Sequence, residues 1–148
     1  MKKVMLTVLA AAVLLCSCGE QPKDVDIDAL AQQIVEGVSF DDALAEIDDS
    51  MISMLYNIEG YTDAVLYKGS GATAEEVAIF QMGSTDDAKT ALEQAQAHIQ
   101  SQIDSYESYI PEEVSRLEDA VVRQDGSYVS VVVSADAAAA EKMLDEAF

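Results

Sequence analysis

Asp125-Gly126 lies between two runs of branched and aromatic residues, Asp119-Ala120-Val121-Val122-Arg123-Gln124 and Tyr128-Val129-Ser130-Val131-Val132-Val133. Such side chains favour extended backbone, and Asp-Gly suits the positive-φ positions of a tight turn, so the stretch reads as a β-hairpin. Ser134 and Asp136 then open a helix whose apolar stripe is Ala140, Met143, Leu144, Ala147 and Phe148. The same order occurs upstream. Ala64-Val65-Leu66-Tyr67-Lys68 and Val77-Ala78-Ile79-Phe80-Gln81-Met82 flank Gly69-Ser70-Gly71 and a polar stretch, a hairpin with a longer loop. Ser84-Thr85-Asp86-Asp87 caps a long helix striped by Ala88, Leu92, Ala95, Ile99, Ile103 and Tyr106, which Pro111 stops. Thr62-Asp63-Ala64-Val65 against Glu118-Asp119-Ala120-Val121 gives the two halves a faint echo. Two strand-strand-helix units most simply build an α+β two-layer sandwich, a roughly four-stranded antiparallel sheet with helices over one face.

Two helical regions precede these units. Ile27, Leu30, Ile34, Val35 and Val38 recur at helical spacing, with Asp26 or Asp28 to cap the start and Gly37 at the end. Phe40, Leu44, Ile47, Met51, Ile52 and Leu55 keep similar steps, and a break at Ile47-Asp48-Asp49-Ser50 divides them into two short helical pieces.

The first residues place the chain. Lys2 and Lys3 precede an apolar run, Val4 to Leu15, that is too short for a membrane span and has the build of a secretory signal. Leu15-Cys16-Ser17-Cys18 follows. Cys18 has a small residue before it and an aliphatic one three before it, which resembles the bacterial lipobox and implies a diacylglyceryl group on the Cys18 thiol; Cys16 has bulky Leu15 at the cut. An ordinary secretory signal or a metal-binding cysteine pair is the competing reading, but Cys-x-Cys with one distant His cannot fill a tetrahedral site. The expected organisation is a signal peptide at 1–17, a lipidated cysteine and tether at 18–25, and a single acidic domain at 26–148. The tether, about 25 Å when extended, holds that domain close to the outer leaflet.

Charge excludes several partners. Removing Lys2 and Lys3 takes the formal charge from −20 to −22 and leaves six scattered Lys and Arg, which argues against nucleic acid and against lying flat on anionic lipid. With no cysteine after Cys18 the domain has neither a disulfide nor a thiol to work with, and its stability rests on a packed core.

Tyr106-Glu107-Ser108-Tyr109-Ile110-Pro111-Glu112-Glu113, then Leu117, Val121, Gly126-Ser127-Tyr128-Val129 and Ser134-Ala135-Asp136, resemble a family of small lipoproteins of unknown function from clostridia and related bacteria. In that family a stretch like Ala74-Glu75-Glu76-Val77-Ala78-Ile79-Phe80 precedes the long helix. The resemblance covers roughly Asp26 to the end and implies an anchored domain without supplying catalytic residues.

Reactive groups are sparse. His98, the single histidine, sits on the long helix beside the apolar stripe and reads as a flank residue; no Gly-x-Ser-x-Gly, His-Glu-x-x-His or phosphate loop accompanies it. Asp24-Val25-Asp26-Ile27-Asp28 imitates half an EF-hand, yet position six is Ala29 and position twelve Val35, so the loop fails. The doublets Asp41-Asp42, Asp86-Asp87 and Glu112-Glu113 read as helix starts. Tyr106, Tyr109 and Tyr128 form the candidate binding surface, since tyrosine offers a rigid contact area and a hydroxyl. The expectation is a membrane-anchored extracytoplasmic protein, a non-catalytic binding or assembly module of the cell envelope. It would stand on the outer face of the cell membrane and meet an envelope protein or small ligand, without cofactor or metal. Weak Ca²⁺ binding is the alternative, and a hydrolase the more distant one.

Overall fold

The computed structural model of the chain describes residues 24–148. The expected leader, Cys18 and the expected tether up to Lys23 lie outside the described residues. Among the described residues the elements run α1 (Ile27–Gly37), β1 (Ala45–Glu46), α2 (Asp49–Tyr56), β2 (Tyr61–Lys68), β3 (Glu76–Met82), α3 (Thr85–Tyr109), a 3₁₀ turn (Pro111–Glu113), α4 (Val114–Glu118), β4 (Val121–Asp125), β5 (Tyr128–Val133) and α5 (Ala137–Ala147). Five antiparallel strands form one sheet in the order β1-β2-β3-β5-β4.

The class is α+β, as the pattern predicts, but the expected four strands become five and the expected two layers become three. Side chains alternate across the strands. Ala64, Leu66, Ala78, Phe80, Val129, Val131 and Val133 meet α2, α3 and α4, while Val65, Val77, Ile79, Val121 and Val132 meet α1 and α5. Helices therefore cover both faces. The central strands β3 and β5 are apolar on successive residues because neither face meets water.

Helix ends follow the expected caps. Asp26 accepts the Ala29 amide at 3.0 Å, Ser84 the Asp87 amide at 3.1 Å, and Asp136 the Ala139 amide at 3.0 Å. The segment from Phe40 departs from expectation: no helix forms before Asp49, and the edge strand β1 takes its place. Side chains satisfy its amides instead of a helical ladder. The Glu75 carboxylate accepts the Asp41 and Asp42 amides at 2.8–3.0 Å, and Asp42 accepts the Ser70 amide and hydroxyl, each at 2.7 Å. Asp41-Asp42 is therefore not a helix start. The second hairpin turn also sits one residue later than expected. Asp125 pairs with Tyr128, and Gly126-Ser127 forms the loop with Gly126 at φ 59°, the arrangement that places glycine first in a two-residue turn.

Candidate functional site

Helix α2 has only eight residues, and its attachment to the sheet is the most unusual chemistry in the fold. Glu76 opens β3 directly opposite Lys68 on β2, so a hairpin register places two opposite charges side by side. The Glu76 side chain is fully buried and collects three donors. Tyr56 O–H from the end of α2 donates to Oε1 at 2.7 Å, His98 Nε2 from α3 lies 2.9 Å from the same oxygen, and Lys68 Nζ pairs with Oε2. The Tyr56 ring stacks on the His98 ring, with centroids 3.8 Å apart and 19° between planes, and tilts against Phe80 at 5.1 Å. Burial pushes the Glu76 carboxyl up, but the His98 hydrogen bond and the Lys68 charge outweigh it and hold the group below its ordinary value. Burial first, and then the Glu76 charge, push the Tyr56 phenol well above its ordinary value. Glu76 is therefore an ionised acceptor and Tyr56 a neutral donor.

His98 is not the flank residue that its position on the helix suggests, since 11 % of its side chain remains exposed. Its hydrogen-bond neighbours are Glu76 and, at 3.4 Å, the Gln102 amide. Ser101 lines the same cleft without a hydrogen bond to the imidazole among the described residues. The arrangement works as a lock tying α2 and α3 to the β2-β3 hairpin.

A second buried cluster ties the neighbouring loops. Glu113 accepts the Ala74 amide at 2.9 Å and the Arg116 guanidinium at 2.7 Å; Arg116 also pairs with Asp41 and stands 3.6 Å from Glu75. Glu113 thus joins the chain after α3 to the β3 entrance, a role beyond helix-end charge compensation. Asp86-Asp87 does lie in the first turn of α3, as expected.

The outer side of α2 is apolar as well. Ile52 and Tyr56 fill the core, while Met51, Met54 and Leu55, at helical spacing, are 45 %, 74 % and 38 % exposed. A cleft of about 250 Å³ opens where α2 ends against α3, lined by Leu55, Tyr56, Asn57, Gln94, Ala97, His98 and Ser101. At the other end of α2 is an open hollow of about 630 Å³ formed by Glu46, Ile47, Asp48, Asp49 and Ser50. Among the described residues no group of three or more His, Cys, Asp and Glu side chains could hold a metal ion, and no helix is long and apolar enough to cross a membrane.

The three tyrosines singled out by sequence do not share one surface. Tyr109 is exposed and meets the half-buried Tyr106 edge-on at 6.2 Å, and Tyr106 O–H donates to the Thr73 carbonyl at 2.9 Å. Tyr128 is buried on the other side of the sheet, 5.2 Å from Phe148, and its hydroxyl accepts the Val25 amide at 3.2 Å. The sequence carries the lock and the α2 face only faintly. Their signals were Lys68 and Glu76 at facing ends of a hairpin, and apolar residues on both sides of a short helix.

An antiparallel sheet between two helical layers, braced by buried carboxylates, defines an α+β domain of the sandwiched-sheet kind. Residues 38–134 match the model of a domain of unknown function, DUF4358, and the chain belongs to that family. No curated protein and no solved structure matches it. The matched span contains the lock, the α2 face and both hollows beside it, whereas α1 and α5 lie outside it.

Proposed function

We propose that this protein is a lipoprotein of the bacterial cell envelope, a non-catalytic binding or assembly module held on the outer face of the cell membrane by a diacylglyceryl group on Cys18. The observation that carries the binding role is the α2 face: three large apolar side chains stand in water on a helix whose inner side is locked to the sheet. A lone exposed apolar residue needs no explanation, but a row of them on a braced helix favours a partner. The lipobox-like Leu15-Cys16-Ser17-Cys18 and the resemblance to clostridial lipoproteins support the anchor. Among the described residues the Ca²⁺ reading draws no comparable support from a group of carboxylates, and the hydrolase reading none from the surroundings of His98.

The test is a photo-crosslinking residue at position 54 of the full-length chain in its native envelope, with exposed Glu107 as the control position. The expected result is a discrete adduct from position 54, none from position 107, and loss of both the adduct and membrane association in Cys18→Ala. Equal labelling from both positions, or none from position 54, overturns the binding role. Retention of Cys18→Ala in the membrane fraction overturns the anchor.

A further inference from the structure

We infer that the α2 face receives a basic amphipathic segment of a partner polypeptide, its apolar side on Met51, Met54 and Leu55 and its Lys or Arg residues toward Glu46 and Asp49. The inference rests on the reading of α2 as a binding face and adds the chemistry of what binds.

Three features of the surface select this occupant. Two of the three exposed apolar residues are methionines, whose unbranched, polarisable side chains adapt to a partner's shape and suit helix-in-groove contacts. The cleft beyond Leu55, at about 250 Å³, is smaller than the roughly 300–1,000 Å³ of sites for drug-sized molecules. It suits one anchoring side chain, with Leu55 and Ala97 in its apolar lining and Asn57, Gln94, His98 and Ser101 in its polar lining. The opposite end of α2 carries the carboxylates of Glu46, Asp48 and Asp49. Hydrogen bonds from the Ser50 hydroxyl and amide hold the Asp48 carboxyl below its ordinary value, so it is charged at neutral pH. From end to end the surface therefore runs from the acidic hollow through the apolar face to the cleft, over a helix about 12 Å long. A segment with a basic end and an apolar face complements that order.

The same charges disfavour the other occupants of an apolar face. Anionic lipid repels the carboxylates beside Met51, and a second copy of the chain brings an equal negative charge with it.

The experiment uses the full-length chain in phosphatidylcholine nanodiscs and reads the anisotropy of a labelled Leu/Lys amphipathic peptide of about 15–18 residues. Empty nanodiscs supply the baseline. Two comparison peptides are used, one with Glu in place of Lys and one of the same composition with its amphipathic order scrambled. The expected result is saturable one-to-one binding of the ordered Leu/Lys peptide only, weakened about tenfold by the double substitution Met54→Gln, Leu55→Gln. Glu46→Gln with Asp49→Asn is expected to weaken binding at low salt and to flatten its salt dependence. Equal binding to wild type and to the Met54, Leu55 variant, or equal binding of the Glu peptide, overturns the inference. So does concentration-dependent dimerisation that the Met54, Leu55 variant abolishes, which assigns the face to a second copy. An envelope adduct from position 54 without peptide binding defeats the partner chemistry and leaves the binding role standing; absence of both defeats the two together.

Discussion

Glu76→Gln is the most informative single change, because it keeps the size of a buried side chain and removes its charge. Gln Oε1 still accepts from Tyr56 and His98, but its amide then faces the Lys68 ammonium, donor against donor. Removing one partner of a buried ion pair costs about 3–5 kcal/mol. Lys68 retains 25 % exposure and can turn partly toward water, which puts the expected loss near the lower end, about 3 kcal/mol. With a urea m-value of about 1.5 kcal/mol per molar, the denaturation midpoint falls by about 2 M. Exposed Glu112→Gln provides the comparison, at less than about 0.5 kcal/mol. Adding Lys68→Met to Glu76→Gln removes the stranded cation and recovers most of the loss, so the pair is strongly non-additive. A midpoint within about 0.3 M of wild type for Glu76→Gln, or no recovery in the double variant, refutes the lock as an ion-paired unit.

The remaining expectations concern pH, the turn and the surface. Glu76 titrates below its ordinary value of 4.5 in the folded protein, so its stabilisation is complete above that pH and is lost as pH falls through the lower folded value; acid titration of stability should be shallower in Glu76→Gln. Tyr56 is raised above its ordinary value of 10.0, so the unfolded chain releases that proton first and stability falls as pH rises past 10.0, a slope that Tyr56→Phe reduces in alkaline unfolding curves. Gly126→Ala places a Cβ at φ 59° in the β4-β5 turn and should cost about 1 kcal/mol in urea denaturation. Met54→Gln should leave the unfolding free energy from urea denaturation within about 0.5 kcal/mol of wild type, because the residue is 74 % exposed.

What was legible in sequence was what neighbours dictate. Caps at Asp26, Ser84 and Asp136 act within one helical turn, and the hairpins follow from alternation and turn residues. The third layer was also legible in principle: Val77-Ala78-Ile79-Phe80 and Val129-Ser130-Val131-Val132-Val133 are apolar on nearly every residue, a pattern that needs cover on both faces. The loop at Asp41-Asp42 was not legible, because its amides are satisfied by Glu75, more than thirty residues away, and short-range spacing favoured a helix. The setting of His98 is hidden from sequence for the same reason. Its helical stripe says which side it flanks, but only the assembled sheet puts Glu76 beneath it. Residue type and sequence position do not say which face of a sheet a tyrosine joins, and Tyr106 and Tyr128 end on opposite faces.

The lock and the proposed binding face meet in α2, and their coupling can be measured. Eight residues are too few for a helix that stands alone in water, and this one turns Met51, Met54 and Leu55 outward instead of burying them. Its place therefore depends on Ile52 and Tyr56 in the core and on the Tyr56 hydroxyl at Glu76. Because α2 is short and leaves much of its surface exposed, loss of the lock should leave it open part of the time while the sheet stays closed. In Glu76→Met, which removes the acceptor of the Tyr56 hydroxyl as well as the charge, amide exchange along α2 should approach the rates of unprotected loops, while the amides of β3 and β5, also destabilised, remain measurably protected. The binding-competent fraction then falls, and the apparent affinity of the Leu/Lys peptide falls with it, although no residue on the binding face has changed. If α2 and β5 retain equal protection in this variant, the helix and sheet open as one unit and the lock does not govern the surface.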